Sequence, residues 1–477
     1  MGRIALVLAA LVMLGAAPGL AHHDSGHPVT TNQDTVVTGS SLADGIGNLF
    51  GAATTNEVRA LGCCGPTGHS FHFSAGARAA NQLLLDTLRS TLTSAIVNFP
   101  TPSPASSFTF QLDPTVGVFT PTTETFGPIY ADRAETIGRG KFSFGVSYSR
   151  LTFDEVDGRE LDNGDLKFVF LHEPTAFLNS QDPTGRGVTC GAAPRDPCGA
   201  PFAFENDTIT TSLFMDLTVD QIVLTGTYGV LDRLDVGFAL PIIRVDIDAR
   251  AVSTSNNESR TLNAPGAGGG LVHTLPNGTQ TTESRFSDDS TGVGDLLLRA
   301  KYNFYRQAPL AMAGILELRL PTGDEDDFMG LDTVRVRPFF VASASFAGFA
   351  PHVNLGFDLG DTDKAKNEFL YRVGFDWGIV RRVTLAVDVL GRYIIDNDRV
   401  ALGSDQAVCR GAGDLACTGG TRDVVRESAD DHIVDAAFGI KVNPWKNVLL
   451  IANVLVPLND TGLRDSVTPL FGIEVNF

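Results

Sequence analysis

The sequence is poor in charge and almost without long apolar runs. Of its 477 residues only 19% are Asp, Glu, Lys or Arg, and it has two Trp and five Met. One stretch is continuously apolar, Ile4 to Leu14, and it is shorter than the roughly 20 residues a membrane-crossing helix needs. It follows Met1-Gly2-Arg3 and leads to Gly19-Leu20-Ala21, the charged start, apolar middle and small-residue end of a secretory signal peptide, with cleavage expected after Ala21. No transmembrane helix is expected in the mature chain. The net charge of −19, from 36 Lys+Arg against 55 Asp+Glu, disfavours nucleic acid as a partner, because phosphate binding is driven by basic residues. Cysteine is scarce and local: Cys63-Cys64, Cys190 with Cys198, and Cys409 with Cys417. In an exported chain the two spaced pairs are disulfide candidates. Their Gly/Pro-rich surroundings, with no His nearby, disfavour zinc.

What is abundant is Gly (50), Phe (31) and alternation. From Lys141 onward, stretches of about ten residues alternate apolar and polar, as transmembrane strands do when one face meets lipid and the other a polar lumen. Over 292–305, Leu296, Leu298, Tyr302 and Phe304 oppose Asp295, Arg299, Lys301 and Asn303. Over 310–320, Leu310, Met312, Leu316, Leu318 and Leu320 oppose Glu317 and Arg319; over 334–346, Val334, Val336, Phe340 and Phe346 oppose Arg335 and Arg337. The segment to Phe477 sets Val467, Phe471, Ile473, Val475 and Phe477 against Thr468, Glu474 and Asn476.

A soluble sandwich also alternates, but it has no reason to alternate short and long connections. Here short ones (231–233, 306–309, 347–348, 380–382, 443–447) interleave with long ones (253–291, 321–333, 361–367, 397–431, 458–465), as barrels with short periplasmic turns and long outer loops do. Tyr302, Phe304, Tyr305, Phe346, Phe349, Phe375, Trp377, Trp445 and Phe477 all lie beside the short connections, where an interfacial girdle belongs. The expected fold is therefore an all-β antiparallel transmembrane barrel of about twelve strands over 141–477, or fourteen if the extended stretches 164–171 and 108–112 join it. Pro241 is read as a bulge, because the apolar face shifts there from Leu234, Val236, Phe238 and Leu240 to Ile243, Val245 and Ile247.

Residues 22–140 do not alternate. Leu83, Leu84, Leu88, Leu92 and Ile96 recur at helical spacing over 79–97, and Pro/Ser-rich sequence from Pro100 to Ser107 ends the pattern. A lone amphipathic helix needs a surface to pack on, so this segment is expected to plug the barrel, a periplasmic appendage being the alternative. His22, His23, His27, His69 and His72 lie in this part with Cys63-Cys64, but their spacing matches no closed four-ligand motif, so no metal or other cofactor is expected.

The inward charges carry the chemistry. Arg299, Lys301, Arg319, Arg335 and Arg337 share one wall with Glu317, formally 5 − 1 = +4; Asp358, Asp376, Asp388, Asp435 and Glu474 share the other with Arg372, Arg392 and Lys441, 3 − 5 = −2. Such walls set up a transverse field that orients polar solutes; alternatively the charges pair across a small, filled barrel that conducts nothing. His352 with Asn354 is the one inward His beside a polar residue on its strand face, and no Ser is placed with it, so catalysis is not expected. Gly266 to Gly270 lacks a phosphate loop's strand–turn–helix context. The acidic run Gly323 to Gly330 lacks EF-hand spacing and reads as a solvated outer loop.

Several stretches resemble the outer-membrane family named for a meta-pathway of phenol degradation, within the broader group similar to fatty-acid and aromatic-hydrocarbon barrel transporters. They are GVFTPTTETFGPIYADRAETIGRGKFSFGVSY (117–148), YGVLDRLDVGFALPIIRVD (228–246), GVGDLLLRAKYNF (292–304), LRLPTGDEDDFMG (318–330) and RPFFVASASFAGFAPHVNLGF (337–357). The resemblance implies a barrel passing small hydrophobic or aromatic compounds across the outer membrane of a Gram-negative bacterium. The alternative is a non-conducting barrel serving structure or surface interaction. Phe471, Ile473, Val475 and Phe477 also resemble the signal read by the outer-membrane insertion machinery. The expected partners are that machinery, outer-membrane lipid and lipopolysaccharide, and a small hydrophobic substrate.

Overall fold

The computed structural model describes residues 35–50, 57–58, 67–68, 75–103, 110–113, 118–121, 125–171, 208–256, 280–360, 366–402, 406–407, 420–421, 424–445 and 447–477. The four candidate disulfide cysteines, Cys190, Cys198, Cys409 and Cys417, lie outside them, as do Cys63, Cys64, the five N-terminal histidines and the expected signal peptide.

Fourteen strands matter to the architecture: β1 (Phe142–Phe153), β2 (Leu166–Leu171), β3 (Thr208–Leu231), β4 (Leu234–Asn256), β5 (Thr281–Val293), β6 (Leu296–Gln307), β7 (Leu310–Leu320), β8 (Arg335–Ala344), β9 (Phe349–Asp358), β10 (Glu368–Val380), β11 (Val383–Leu402), β12 (Val424–Trp445), β13 (Val448–Pro457) and β14 (Thr468–Asn476). Twelve of them, β1, β3, β4 and β6 to β14, pair antiparallel in a closed ring, each with its neighbours, and β14 returns to β1. The closure runs from Leu470 opposite Ser149 to Asn476 opposite Ser143, and Phe142 and Phe477 exchange backbone hydrogen bonds of 3.2 and 2.8 Å. β2 and β5 are the two additional strands: β2 pairs with the outer end of β3, and β5 with the outer half of β4. The stretch near 108–112 is a separate hairpin, Phe110–Asp113 against Val118–Pro121, and does not enter the ring.

Side-chain polarity follows from this closure. Outward residues such as Leu298, Tyr302, Leu316, Phe340, Phe438 and Phe471 are exposed and apolar, whereas Lys301, Arg335, Asp376 and Lys441 are buried inside. Charge within and hydrocarbon without is the arrangement lipid requires, and a closed barrel leaves no unpaired edge in it. Among the described residues no helix is long and apolar enough to cross a membrane. The protein is a membrane-spanning barrel of the outer-membrane type.

On the β1–β3–β4–β5 side the pattern inverts along unbroken strands. Outward positions of β4 read Val236, Phe238, Leu240, Ile242, then Arg244, Asp246, Asp248; inward positions read Asp235, then Pro241, Ile243, Val245, Ile247. No bulge lies at Pro241, contrary to the expectation from sequence, since β3 and β4 stay in register from Thr208/Asn256 to Gly229/Asp235. The face does not change; its solvent does. Below residue 242 the outside meets lipid, and above it the outside meets water and the inside is a conventional apolar core. The slip falls on the partner strand, where β4 passes from Ala239/Leu297 to Ile242/Val293 across Gly294-Asp295. Neighbouring strands turn over at the same level, at Tyr148 to Arg150, Ile222 to Asp220 and Val293 to Thr291. Arg150 with Asp220 (3.8 Å) and Arg244 with Asp289 (3.4 Å) ring the rim.

Two helices fill this outer end. α1 (Leu42–Leu49) starts at Ser41, whose Oγ accepts the Asp44 N–H, and buries Leu42, Ile46 and Leu49 against Val245, Ala249 and Phe286 in one apolar cluster. Each such side chain contributes about 1.5–3 kcal/mol. α2 (Ala75–Val97) spans the helix read at 79–97 and buries Leu88, Leu92 and Ile96 in the same cluster. The acidic connection 321–334 is not simply solvated: Asp327 Oδ1 accepts the Leu42 N–H at 3.1 Å, and Phe328 and Met329 are buried over the helix.

The inversion sets a sharp expectation. Cysteine at Asp220 or Arg244 should react with a membrane-impermeant maleimide on whole cells, while cysteine at Ile222 or Ile242 should not. Equal labelling of all four would place the membrane boundary elsewhere. Leu316→Arg, on the lipid face, should cost about 2–4 kcal/mol if it lies near the midplane, read as a lower urea midpoint in lipid vesicles.

Candidate functional site in the barrel interior

The segment 125–140, which feeds directly into β1, crosses the lower half of the barrel and is almost wholly buried. Its backbone cannot reach water or form a ladder, so the inward side chains of the wall satisfy it. Lys441 Nζ donates to the carbonyls of Phe126 (3.2 Å) and Pro128 (2.5 Å), and Thr384 Oγ1 accepts the Phe126 N–H. Arg372 donates to Tyr130 O at 2.7 Å. The Asn354 amide closes a two-way pair with Asp132, accepting its N–H at 2.7 Å and donating to its carbonyl at 2.9 Å. Asn303 donates to Ala134 O at 2.8 Å, and Ser343 Oγ accepts the Ala134 N–H while donating to Glu135. Near the short β3–β4 turn, Ile137 N–H reaches Asp235 and Gly140 N–H reaches Gly229 O. Gly229 is required there, because a Cβ at that position would lie 1.9 Å from Gly138 O.

The segment's own charges face their opposites. Asp132 meets Arg299 at 2.5 Å, and Arg299 also lies 3.7 Å from Glu317. Arg133 pairs with Asp376, whose other oxygen is 3.6 Å from His352 Nδ1; His352 Nε2 shares a 2.6 Å hydrogen bond with Asp388. Lys301 lies between Asp235 (3.8 Å) and the Arg133 carbonyl (3.3 Å). Higher up, Arg335 and Arg337 clasp Asp358, Arg392 forms a two-pronged bond with Glu368 (2.7 and 2.8 Å), and Arg464 pairs with Asp435 at 2.9 Å. Glu474 accepts from Ser143 on the closing strands.

A cavity of about 90 Å³ remains at the outer mouth. Phe99 and Pro100 beyond α2, Phe153, Ile433, Leu455 and Leu463 give it an apolar body, and Lys366, Glu368, Arg392, Asp435, Arg464 and Asp465 a charged rim. Burial lifts the Asp465 carboxyl above the ordinary carboxylate range, against the pull of the Thr468 hydroxyl and the Val467 N–H. Among the described residues no three His, Cys, Asp or Glu side chains come together as a metal site.

Residues 209–408, most of the barrel wall, match the model of the family described as "Putative MetA-pathway of phenol degradation". Over that span the chain is similar to this family. No curated protein matches the sequence. Solved structures with a similar course include an outer membrane channel from Pseudomonas putida F1 (11% identity, 72% of this chain and 98% of that one, TM-score 0.38). A FadL homologue from Pseudomonas aeruginosa (12%, 80% and 99%, TM-score 0.32) and the toluene transporter TodX of Pseudomonas putida (9%, 70% and 87%, TM-score 0.28) are others.

In this barrel the charges assigned to the inner face from sequence are buried or, for Arg299, Arg372 and Arg392, half-buried, but the two walls do not confront each other across open space. Asp132 and Glu135 are turned toward the basic and polar wall and Arg133 toward the acidic one, so the segment between them terminates the field. Asp132, Arg133, Asn98, Asp235 and Arg464 escaped the sequence reading. They sit outside the alternating pattern, or, for Asp235, at a strand start. The one available signal was the unbalanced +4 of the basic wall, which demands carboxylates from elsewhere. Removing either partner of the Arg133–Asp376 pair should cost about 3–5 kcal/mol. A double-mutant cycle with Arg133→Met and Asp376→Asn, read by urea unfolding in vesicles, should show the double variant recovering part of that loss. Additive losses would mean that the two do not interact.

Proposed function

We propose that this barrel is a passive outer-membrane channel for small hydrophobic or aromatic compounds in a Gram-negative bacterium, seen with its lumen closed. The observation that carries the reading is that the closure is made by chain segments rather than by the wall: 98–103 and 125–140 are held by side-chain hydrogen bonds and ion pairs, all exchangeable, beneath an apolar cavity at the mouth. Neutral bonds of this kind contribute about 0.5–1.5 kcal/mol each net, so the segments are held by many separable ties beside the apolar packing of Ile129 and Tyr130. The family match over 209–408 and the names of the channels with a similar course, one of them a toluene transporter, agree with hydrophobic solutes. The reading assigns Arg299, Lys301, Glu317, Asp376, Asp388 and the other inward charges the task of holding the closing segments, and gives catalysis no part.

A second reading has one observation in its favour. Most interior charges are paired, as in a small barrel that serves only as structure.

Uptake separates the two. Cells lacking the protein should take up toluene more slowly, and an engineered disulfide between Ala134→Cys and Ser343→Cys, which ties 125–140 to β8, should abolish the rescue until it is reduced. Unchanged toluene entry across these strains, with no conductance in planar bilayers, would leave the structural reading standing.

A further inference from the structure

One guanidinium in the lumen lacks the partner its burial calls for. Arg319 is 3% exposed and makes no ion pair among the described residues; Nη1 donates to the Asn98 side-chain oxygen at 2.8 Å, and Nε has no partner. Arg337 donates to that same oxygen at 3.0 Å and binds Asp358 at 2.6 Å through Nε. Arg335 takes the other oxygen of Asp358 at 2.7 Å. Arg319 and Arg337 thus meet at one neutral oxygen, and Asp358 bonds Arg337 and Arg335 but not Arg319. Asp358 and Asp295 attract Arg319 without bonding it: Asp295 accepts the N–H groups of Gly323 and Leu331, and Glu317 lies beside Arg299. A buried charge with no direct counter-ion is costly.

What meets the arginines instead is partial negative charge. Asn98 directly follows the last residue of α2, where the helix dipole is negative, and its amide oxygen sits where one oxygen of an anion would bridge two guanidiniums. Its neighbours Phe99 and Pro100 line the mouth cavity, and Asn98 and the two arginines lie behind that lining. An anion reaching this point would have apolar surface on one side and two guanidinium forks on the other.

We propose that Arg319 and Arg337 form an anion-recognition site in the lumen, occupied here by the Asn98 amide oxygen, and that its ligands are small aromatic or aliphatic carboxylates. The choice of solute rests on the channel reading above; the site itself does not. Planar guanidinium forks match a carboxylate, and the apolar floor selects a carboxylate attached to a hydrophobic body over a hydrated inorganic anion. Displacing a neutral amide by a charged carboxylate strengthens both bonds, so the ligand that binds also unseats the end of α2.

The test is equilibrium dialysis of benzoate on the purified full-length protein in detergent, with benzamide and inorganic phosphate as probes of charge and of the apolar body. Asn98→Ala vacates the site and should tighten benzoate about tenfold; Asn98→Asp supplies a tethered carboxylate and should weaken it by about as much. Benzamide should follow neither change, and phosphate should bind more weakly than benzoate throughout. Arg319→Gln should abolish benzoate binding and Arg319→Lys, which keeps the charge and loses the fork, should retain part of it. If Arg319→Gln fails to fold, the opposed Asn98 variants still decide. The site is overturned if both Asn98 variants move benzoate in the same direction, or if benzamide or phosphate tracks benzoate. The expected binding pattern with no flux of benzoate or toluene into proteoliposomes would remove the channel reading and keep the site.

Discussion

Everything in this molecule follows from a chain that has to bond all of its polar groups without water over the thickness of a membrane. Pairing strands in a closed ring satisfies the backbone of the wall. It also forces alternate side chains into an enclosed space, and the outward half must be apolar. Polar residues therefore have one place to go, and the barrel interior becomes the site of the buried arginines, lysines and carboxylates. Where the wall rises above the lipid the constraint is lifted within one residue pair, at Ile242 and Arg244 on β4 and at Ile222 and Asp220 on β3. From there outward the same strands obey the rules of a soluble protein, with charge outside and Ile243, Val245 and Ile247 packed inside against α1, α2 and Phe286.

The interior charges then impose a second demand. A small barrel lined with Arg299, Arg319, Arg335 and Arg337 cannot stay dry and empty, because each unpaired charge costs several kcal/mol. Segment 125–140 answers it with Asp132 toward Arg299 and Arg133 toward Asp376, and its unladdered backbone takes up the remaining donors of Arg372, Lys441 and Asn303. Wall and segment complete each other: neither the irregular backbone nor the inward charges would be tolerable alone.

How much of this was written in the sequence depends on whether the signal is periodic. A period of two, long and short connections in turn and aromatics beside the short ones place the strands, their faces and the lipid-facing set, because lipid imposes the same rule at every strand. The same period misled at Pro241, where a change of apolar face looks like a bulge when only one solvent is considered. Residues 125–140 have no period at all, since each position answers a different wall residue, Asn354 for Asp132 and Ser343 for Ala134. Such pairings across two hundred residues leave no local trace. Asn98 is the extreme case: a helix-end asparagine is an ordinary cap, and only its place over Arg319 and Arg337 gives it another meaning.

The closing segments are not held alike. At its lower end 125–140 runs into β1 at Phe142, and Gly138 packs against Gly229 so closely that no side chain fits between them. Its bonds are numerous and spread over six or more strands, and it stays anchored where it enters the closing strand of the barrel. By contrast 98–103 is tied chiefly through Asn98 to two arginines and through Ser103 to Asp132 and the Ile129 carbonyl. The weaker of these ties sits nearer the mouth and rests on one neutral oxygen facing two guanidiniums. On the channel reading the closure therefore yields first at the end of α2, where an arriving carboxylate gains most, and only afterwards along the tethered segment beneath it.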